Sequence, residues 1–131
     1  MSRYLLDTNH AGNILRPNSA LPERMLAAPD GRFSLCLPSV GELWHMVFKS
    51  SQTTANQRKL EAVLDRFDIY PFDHSAAREF GRLLTELRRI GHPIPAIDIQ
   101  IGAIAMVNGL TLLTADTHFD HIPGLGHENW L

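Results

Sequence analysis

The chain has one cysteine, no lysine beyond Lys59 and no excess of positive charge, with Lys+Arg 12 against Asp+Glu 14 and a net charge of −2. A lone Cys36 cannot form an internal disulfide, which sets a cytoplasmic address as the expectation. No apolar run is long enough for a signal peptide or a membrane span, and Tyr4-Leu5-Leu6 near the amino end is far too short, so no membrane partner is expected. Repeats, low-complexity tracts and linker-like composition are also missing. Residues 1–131 therefore read as a single domain, long enough to bury a core. The charge balance does not announce a nucleic-acid binder. Contact with RNA or DNA would need a local basic patch or metal ions.

What is present is an alternation of short apolar runs with helical periodicity. Arg3 to Leu6 reads as a buried strand, followed by the turn- and cap-forming Asp7-Thr8-Asn9. Helices are expected over about Asn9–Leu15 and Ala20–Ala28, the second with Pro22 in its first turn. Phe33, Leu35 and Leu37 alternate with Ser34 and Cys36 as in a strand, and Pro38-Ser39 ends it. Ser39 and Glu42 have capping-box spacing ahead of a helix carrying Leu43, Trp44, Val47 and Phe48. Ser50–Thr54 reads as a loop. Leu60, Val63, Leu64 and Phe67 mark a further helix. After a strand at Asp68–Pro71, a helix presents Ala76, Phe80, Leu83, Leu84 and Leu87 on one face, and Arg78, Arg82, Arg88 and Arg89 on another. Gly91-His92-Pro93 stops it. A helix over about Ala96–Asn108, a strand at Leu110–Thr114, a turn or short helical turn at Ala115–His121 and an edge strand within His127–Trp130 complete the chain. This alternation predicts an α/β fold with helices on both faces of a mainly parallel sheet of four to five short strands.

In such sheets functional groups gather beyond the carboxyl ends of the strands. Four acids fall there. Asp7 follows the first strand, Glu42 opens the helix after the second, Asp98 lies in the first turn of an apolar helix, and Asp116 follows the fourth strand. Asp98 is the most demanding, because its neighbours Ile94, Ile97, Ile101 and Ile104 are expected to bury it, and an unpaired buried charge is costly. Taken singly, each acid has a local explanation as a cap, half of a capping box, a helix-start acid or a turn residue. Their joint placement is what points to chemistry. Two carboxylates ~4 Å apart repel by roughly 4 kcal/mol at an effective dielectric near 20, and helix dipoles return only about 0.3–1 kcal/mol each. A divalent cation resolves that conflict, and oxygen donors suit Mg2+ or Mn2+. Thr8 and Asn9 are polar neighbours of the first acid, and Asp120 is a possible fifth.

Several segments together resemble the PIN-domain nucleases, and most closely the VapC-like toxins of type II toxin–antitoxin pairs. They are Leu5-Leu6-Asp7-Thr8-Asn9, Pro38-Ser39-Val40-Gly41-Glu42-Leu43, Gly91-His92-Pro93-Ile94 leading to Asp98, Leu113-Thr114-Ala115-Asp116-Thr117-His118-Phe119, and a tail with Ile122-Pro123-Gly124-Leu125 and Glu128-Asn129-Trp130. The resemblance spans essentially the whole chain. It implies a three-layer α/β/α PIN-like fold and a Mg2+- or Mn2+-dependent endoribonuclease that hydrolyses RNA. It also implies a cognate antitoxin laid across the active-site groove, with helical surface in the Ser39–Phe67 region a candidate for that contact, and a homodimer. Carried over position by position, the acidic quartet is Asp7, Glu42, Asp98 and Asp116. Asp7, Asp98 and Asp116 would be metal ligands, Glu42 would orient the attacking water or help hold a second metal, and Thr8 or Asn9 would support them. Some members carry Arg or Glu where this chain has Thr117-His118, a departure that touches RNA contacts rather than the metal core.

The same residues admit other readings. A catalytically silent RNA- or protein-binding module on this fold is disfavoured by the full set of acids. A receiver-like phosphoacceptor wants a lysine after a late strand, which is absent here. His118, Asp120 and His121 are too loosely spaced for a zinc site and read as loop residues. Cys36 reads as a small core residue, and Trp44 and Phe48 as core or, if exposed, as a partner surface. The arginine-bearing helix face, with Arg16, Lys49, Arg58 and Lys59, could supply local positive surface for RNA.

Overall fold

A computed structural model describes residues 2–131. Five strands, β1 (Ser2–Leu6), β2 (Gly31–Cys36), β3 (Asp68–Tyr70), β4 (Thr111–Leu113) and β5 (His127–Glu128), form one sheet in the order β3-β2-β1-β4-β5. Every pairing is parallel. Six α-helices connect them: α1 (Thr8–Ile14), α2 (Leu21–Leu26), α3 (Leu37–Phe48), α4 (Thr53–Leu64), α5 (His74–Arg89) and α6 (Ala96–Val107). A 3-10 helix covers Thr117–His121. No helix among the described residues is long and apolar enough to cross a membrane.

The period-2 alternation of the strands builds two cores, one on each face. Leu5, Cys36 and Leu112 pack with Leu83 and Leu87 of α5 and with Ile99, Ile101 and Ile104 of α6. Their strand neighbours Leu6, Leu35 and Leu113 pack with Ala11 of α1, Leu21 of α2, Leu43 and Val47 of α3 and Leu60 of α4. The buried apolar residues of each helix join one of these two cores. On the exposed side of α5, Arg82 pairs with Glu79 and Arg89 with Glu86, so two of the arginines considered for RNA are already engaged within their own helix. Gly91 and Gly109 end α5 and α6 in the left-handed region, at φ +76° and +65°.

The strand order reverses between β1 and β4. The chain winds outward from β1 through β2 to β3, then returns to the other side of β1 with β4 and β5. Helices leaving β1 and β4 therefore diverge and open a crevice at the carboxyl ends of these two central strands. The parallel register sets Leu6 beside Leu113, and Asp7 N–H donates to Leu113 O at 3.1 Å.

Several expectations need correction. β2 ends at Cys36, and Leu37 already belongs to α3. Pro38 sits in the first turn, where a missing N–H costs nothing, and this draws the helix start forward of Ser39. Ser39 is therefore inside the helix, fully buried, with its Oγ 3.4 Å from Cys36 Sγ. The capping box with Glu42 does not form, and α3 has no side-chain cap. The expected loop Ser50–Thr54 gives up Thr53 and Thr54 to α4. Ile97, expected to bury Asp98, is exposed and faces the crevice, whereas Ile101 and Ile104 are buried beneath it. Phe48 is exposed and stacks on Trp44 with ring centroids 5.6 Å apart.

Candidate active site

The crevice is a cavity of about 550 Å³, and Asp7, Glu42, Asp98 and Asp116 all line it, together with Thr8 and Asn9. The placement of each acid follows from its element. Asp7 is the cap of α1, so its side chain is drawn back toward the helix start and its Oδ1 accepts from His10 N–H at 2.8 Å. It is buried. Glu42 lies on the face of α3 shared by Gly41, His45, Met46 and Lys49 at helical spacing, and all five line the cavity. Thr8 Oγ1 donates to Glu42 Oε1, which ties the start of α1 to α3 across the cavity floor. Asp98 is in the first turn of α6. Asp116 caps the 3-10 helix, and its Oδ1 accepts from His118 N–H at 2.9 Å.

His118 is the residue that local sequence patterns missed. Its Nδ1 lies 3.0 Å from Asp98 Oδ2 and 3.2 Å from Asp116 Oδ1. One donor atom from each of Asp98, Asp116 and His118 falls within 4.8 Å of the others, a grouping compact enough for one cation. Burial holds the Asp98 carboxyl above its usual range. The His118 hydrogen bond opposes that shift, and repulsion from Asp116 and Glu42 adds to it. His118 is correspondingly raised, first by its hydrogen bond to Asp98 and further by the charges of Asp116 and Asp98. Asp98, Asp116 and Glu42 thus gather negative charge around one histidine. The hard oxygen donors and single imidazole of the site fit a divalent cation, with Asp7 on the adjoining wall.

A second unanticipated group lies beneath the site. His10 is fully buried, and its Nε2 accepts the main-chain N–H of Trp130 at 3.1 Å. In the neutral ring this places the proton on Nδ1. Nδ1 is 3.3 Å from Asp7 Oδ1, without hydrogen-bond alignment. Trp130 packs against Tyr4 and Phe33 and lies under the Arg24 guanidinium. The tail thereby reaches back to the end of β1.

Asp120, the possible fifth acid, is not in the cavity. It points to His127 Nε2 at 3.4 Å, and His121 stacks on His92 at 4.3 Å. The loose trio of His118, Asp120 and His121 is thus split among three different partners. Lys49, counted as generic positive surface, instead lines the cavity at the far end of the α3 face from Glu42.

Comparison with known proteins agrees with this geometry. A family model described as PIN domain matches residues 4–125. The chain is 32% identical to ribonuclease VapC2 of Rickettsia felis, covering 97% of each protein. It is 28% identical to the tRNA(fMet)-specific endonuclease VapC of Shigella flexneri, covering 99% of each. It is similar to a chain in the crystal structure of VapBC2 from Rickettsia felis bound to a DNA fragment from their promoter, with TM-score 0.89, 31% identity, and coverage of 98% of this chain and 99% of that one.

Proposed function

Because the chain belongs to the PIN-domain family, among its VapC-like members, we propose that it is the toxin of a toxin–antitoxin pair: a divalent-metal-dependent endoribonuclease hydrolysing RNA phosphodiester bonds. Residues 1–131 act as one nuclease domain, working in the cytoplasm. The observation that carries the reading is the convergence of Asp7, Glu42, Asp98 and Asp116 on one cavity at the switch point of the sheet.

Asp98 and Asp116 would hold Mg2+ or Mn2+ with Asp7. When bound, the ion supplies stabilisation for the charge that develops on the scissile phosphate. Glu42 is kept in place by Thr8 Oγ1 on one carboxylate oxygen, and the other oxygen is left to accept a proton from an attacking water. Lys49 and His45, on the same face of α3, are placed to meet a neighbouring phosphate. Lys49 follows Glu42 by seven residues, about 10.5 Å along the helix axis, which is the reach of one to two nucleotides.

The partner reading has its own support. Leu37, Met46 and Phe48 are exposed apolar residues of α3, and such a surface suits a cognate antitoxin or the second subunit of a homodimer. The solved relative from Rickettsia felis is itself a VapBC complex.

Asp98→Asn tests the enzymatic reading. The wild-type chain should cleave RNA in Mg2+ or Mn2+ and the variant should lose at least ~100-fold. Cleavage at the wild-type rate by Asp98→Asn would remove the site assignment. A wild-type chain that binds RNA or antitoxin but never cleaves would favour the silent binding module.

A further inference from the structure

We propose that His118 is a nitrogen ligand to the cation of this site, beside its carboxylates, and that its imidazole makes the centre select Mn2+ over Mg2+. The inference rests on reading the cavity as a metal site. It adds a donor and a selectivity to that reading.

The spacing is that of a coordination shell. A six-coordinate cation with bonds of about 2.1 Å holds neighbouring donor atoms about 3.0 Å apart. His118 Nδ1 is 3.0 Å from Asp98 Oδ2 and 3.2 Å from Asp116 Oδ1. The nitrogen therefore already stands where a ligand adjacent to both carboxylates would stand. The backbone that carries it is held by the fold. The His118 main-chain N–H is fixed to Asp116 Oδ1 at 2.9 Å, and the next residue, Phe119, is buried in the core and pins the 3-10 turn. The turn that places Asp116 thus also places the imidazole.

The chemistry of this added donor decides the ion. Mg2+ prefers oxygen and retains several waters, whereas imidazole nitrogen is a better partner for transition ions. Carboxylates alone would discriminate weakly. Adding one nitrogen favours Mn2+ and leaves Mg2+ with a ligand it uses poorly. A ring that coordinates through Nδ1 carries its proton on Nε2, on a side chain that is 46% exposed.

The test uses the full-length, metal-free protein at fixed pH, as wild type, His118→Ala and His118→Gln. Mn2+ and Mg2+ binding are titrated calorimetrically, and the Mn2+-loaded forms are examined by pulsed electron paramagnetic resonance. The exposure of the ring makes folding of both variants expected, and circular dichroism checks it. The wild type should bind Mn2+ more tightly than Mg2+ and show nitrogen modulation from a coordinated imidazole. Both variants should lose that modulation and about 10-fold or more in Mn2+ affinity, with Mg2+ affinity changed much less. Equal loss for the two ions, tighter binding in the variants, no nitrogen modulation, or no ion bound by the wild type would each overturn the proposal. RNA cleavage measured in parallel separates the two readings. Histidine-dependent Mn2+ selectivity without cleavage keeps the ligand and removes the nuclease. Cleavage without that selectivity does the reverse.

Discussion

Asp98→Asn should make the metal-free protein more stable while abolishing its response to metal. Donor oxygens of Asp98 and Asp116 approach within 4.8 Å. Two charges at that distance repel by about 3.5 kcal/mol at an effective dielectric of 20 and about 0.9 kcal/mol in water. The Asp98 and Asp116 side chains are 17% and 32% exposed. The value therefore lies between these limits, and salt lowers it to about 1–2 kcal/mol. Burial of the Asp98 charge acts in the same direction and is the leading reason its carboxyl is held above the usual range. Against this, the hydrogen bond from His118 becomes a neutral one, a loss of about 1 kcal/mol, since the amide oxygen of Asn still accepts. The net gain is about 1 kcal/mol, or about 3–5 °C in Tm for a chain of this size. Thermal unfolding followed by circular dichroism in EDTA at pH 7.5, then in excess Mn2+, reads both halves. Wild type should gain about 2.7 kcal/mol at a Mn2+ concentration 100 times its Kd and overtake the variant, which should barely move. If Asp98→Asn melts below wild type in EDTA, repulsion does not dominate this site and the reasoning fails.

Two further outcomes follow from the same geometry. Thr8→Val keeps the side-chain shape but removes the donor to Glu42 Oε1. It should lower kcat for RNA cleavage about 10-fold, the equivalent of one hydrogen bond to a charged group, with KM nearly constant, and an unchanged kcat would show that Thr8 does not position Glu42. The metal-free protein should also lose stability as pH rises above neutrality. His118 is raised above its ordinary 6.5 in the folded state, so its contribution is complete below 6.5 and is lost as pH climbs through the higher folded value. The Asp98 contribution has the same sign, complete below 3.8 and lost above its raised folded value. Calorimetric melts from pH 6 to 9 should fall more steeply for wild type than for His118→Ala, and parallel curves would contradict the pairing.

Much of this site is readable in the sequence because its acids follow fold-level rules. Asp7 sits directly after β1 and Asp116 three residues after β4, and any parallel sheet with this alternation brings such positions to one edge. Asp98 was visible as a charge in an apolar helix, although one of its presumed covers, Ile97, opens into the cavity instead. The role of Glu42 was masked by a local pattern. Ser39 and Glu42 have the spacing of a capping box, but Pro38 moved the helix start and left the glutamate free to meet Thr8. His118 and His10 were out of reach for a different reason. Their partners lie 20 and 120 residues away, at Asp98 and at Trp130, and only three-dimensional packing reveals such pairs. Asp120 had the right residue type near the right strand, but the 3-10 turn carries it past the cavity to His127.

The central pairing of β1 with β4 has a consequence in time. Tyr4 lies beside Thr111 and Leu6 beside Leu113, so the two strands that open the crevice are separated by about a hundred residues of chain. Parallel pairings across such separations form late and slowly, because the intervening chain must be ordered first. Asp7 and Glu42 leave the ribosome long before Asp98 and Asp116 can join them. An unfinished chain therefore carries half the acids and none of the Asp98, Asp116 and His118 cluster.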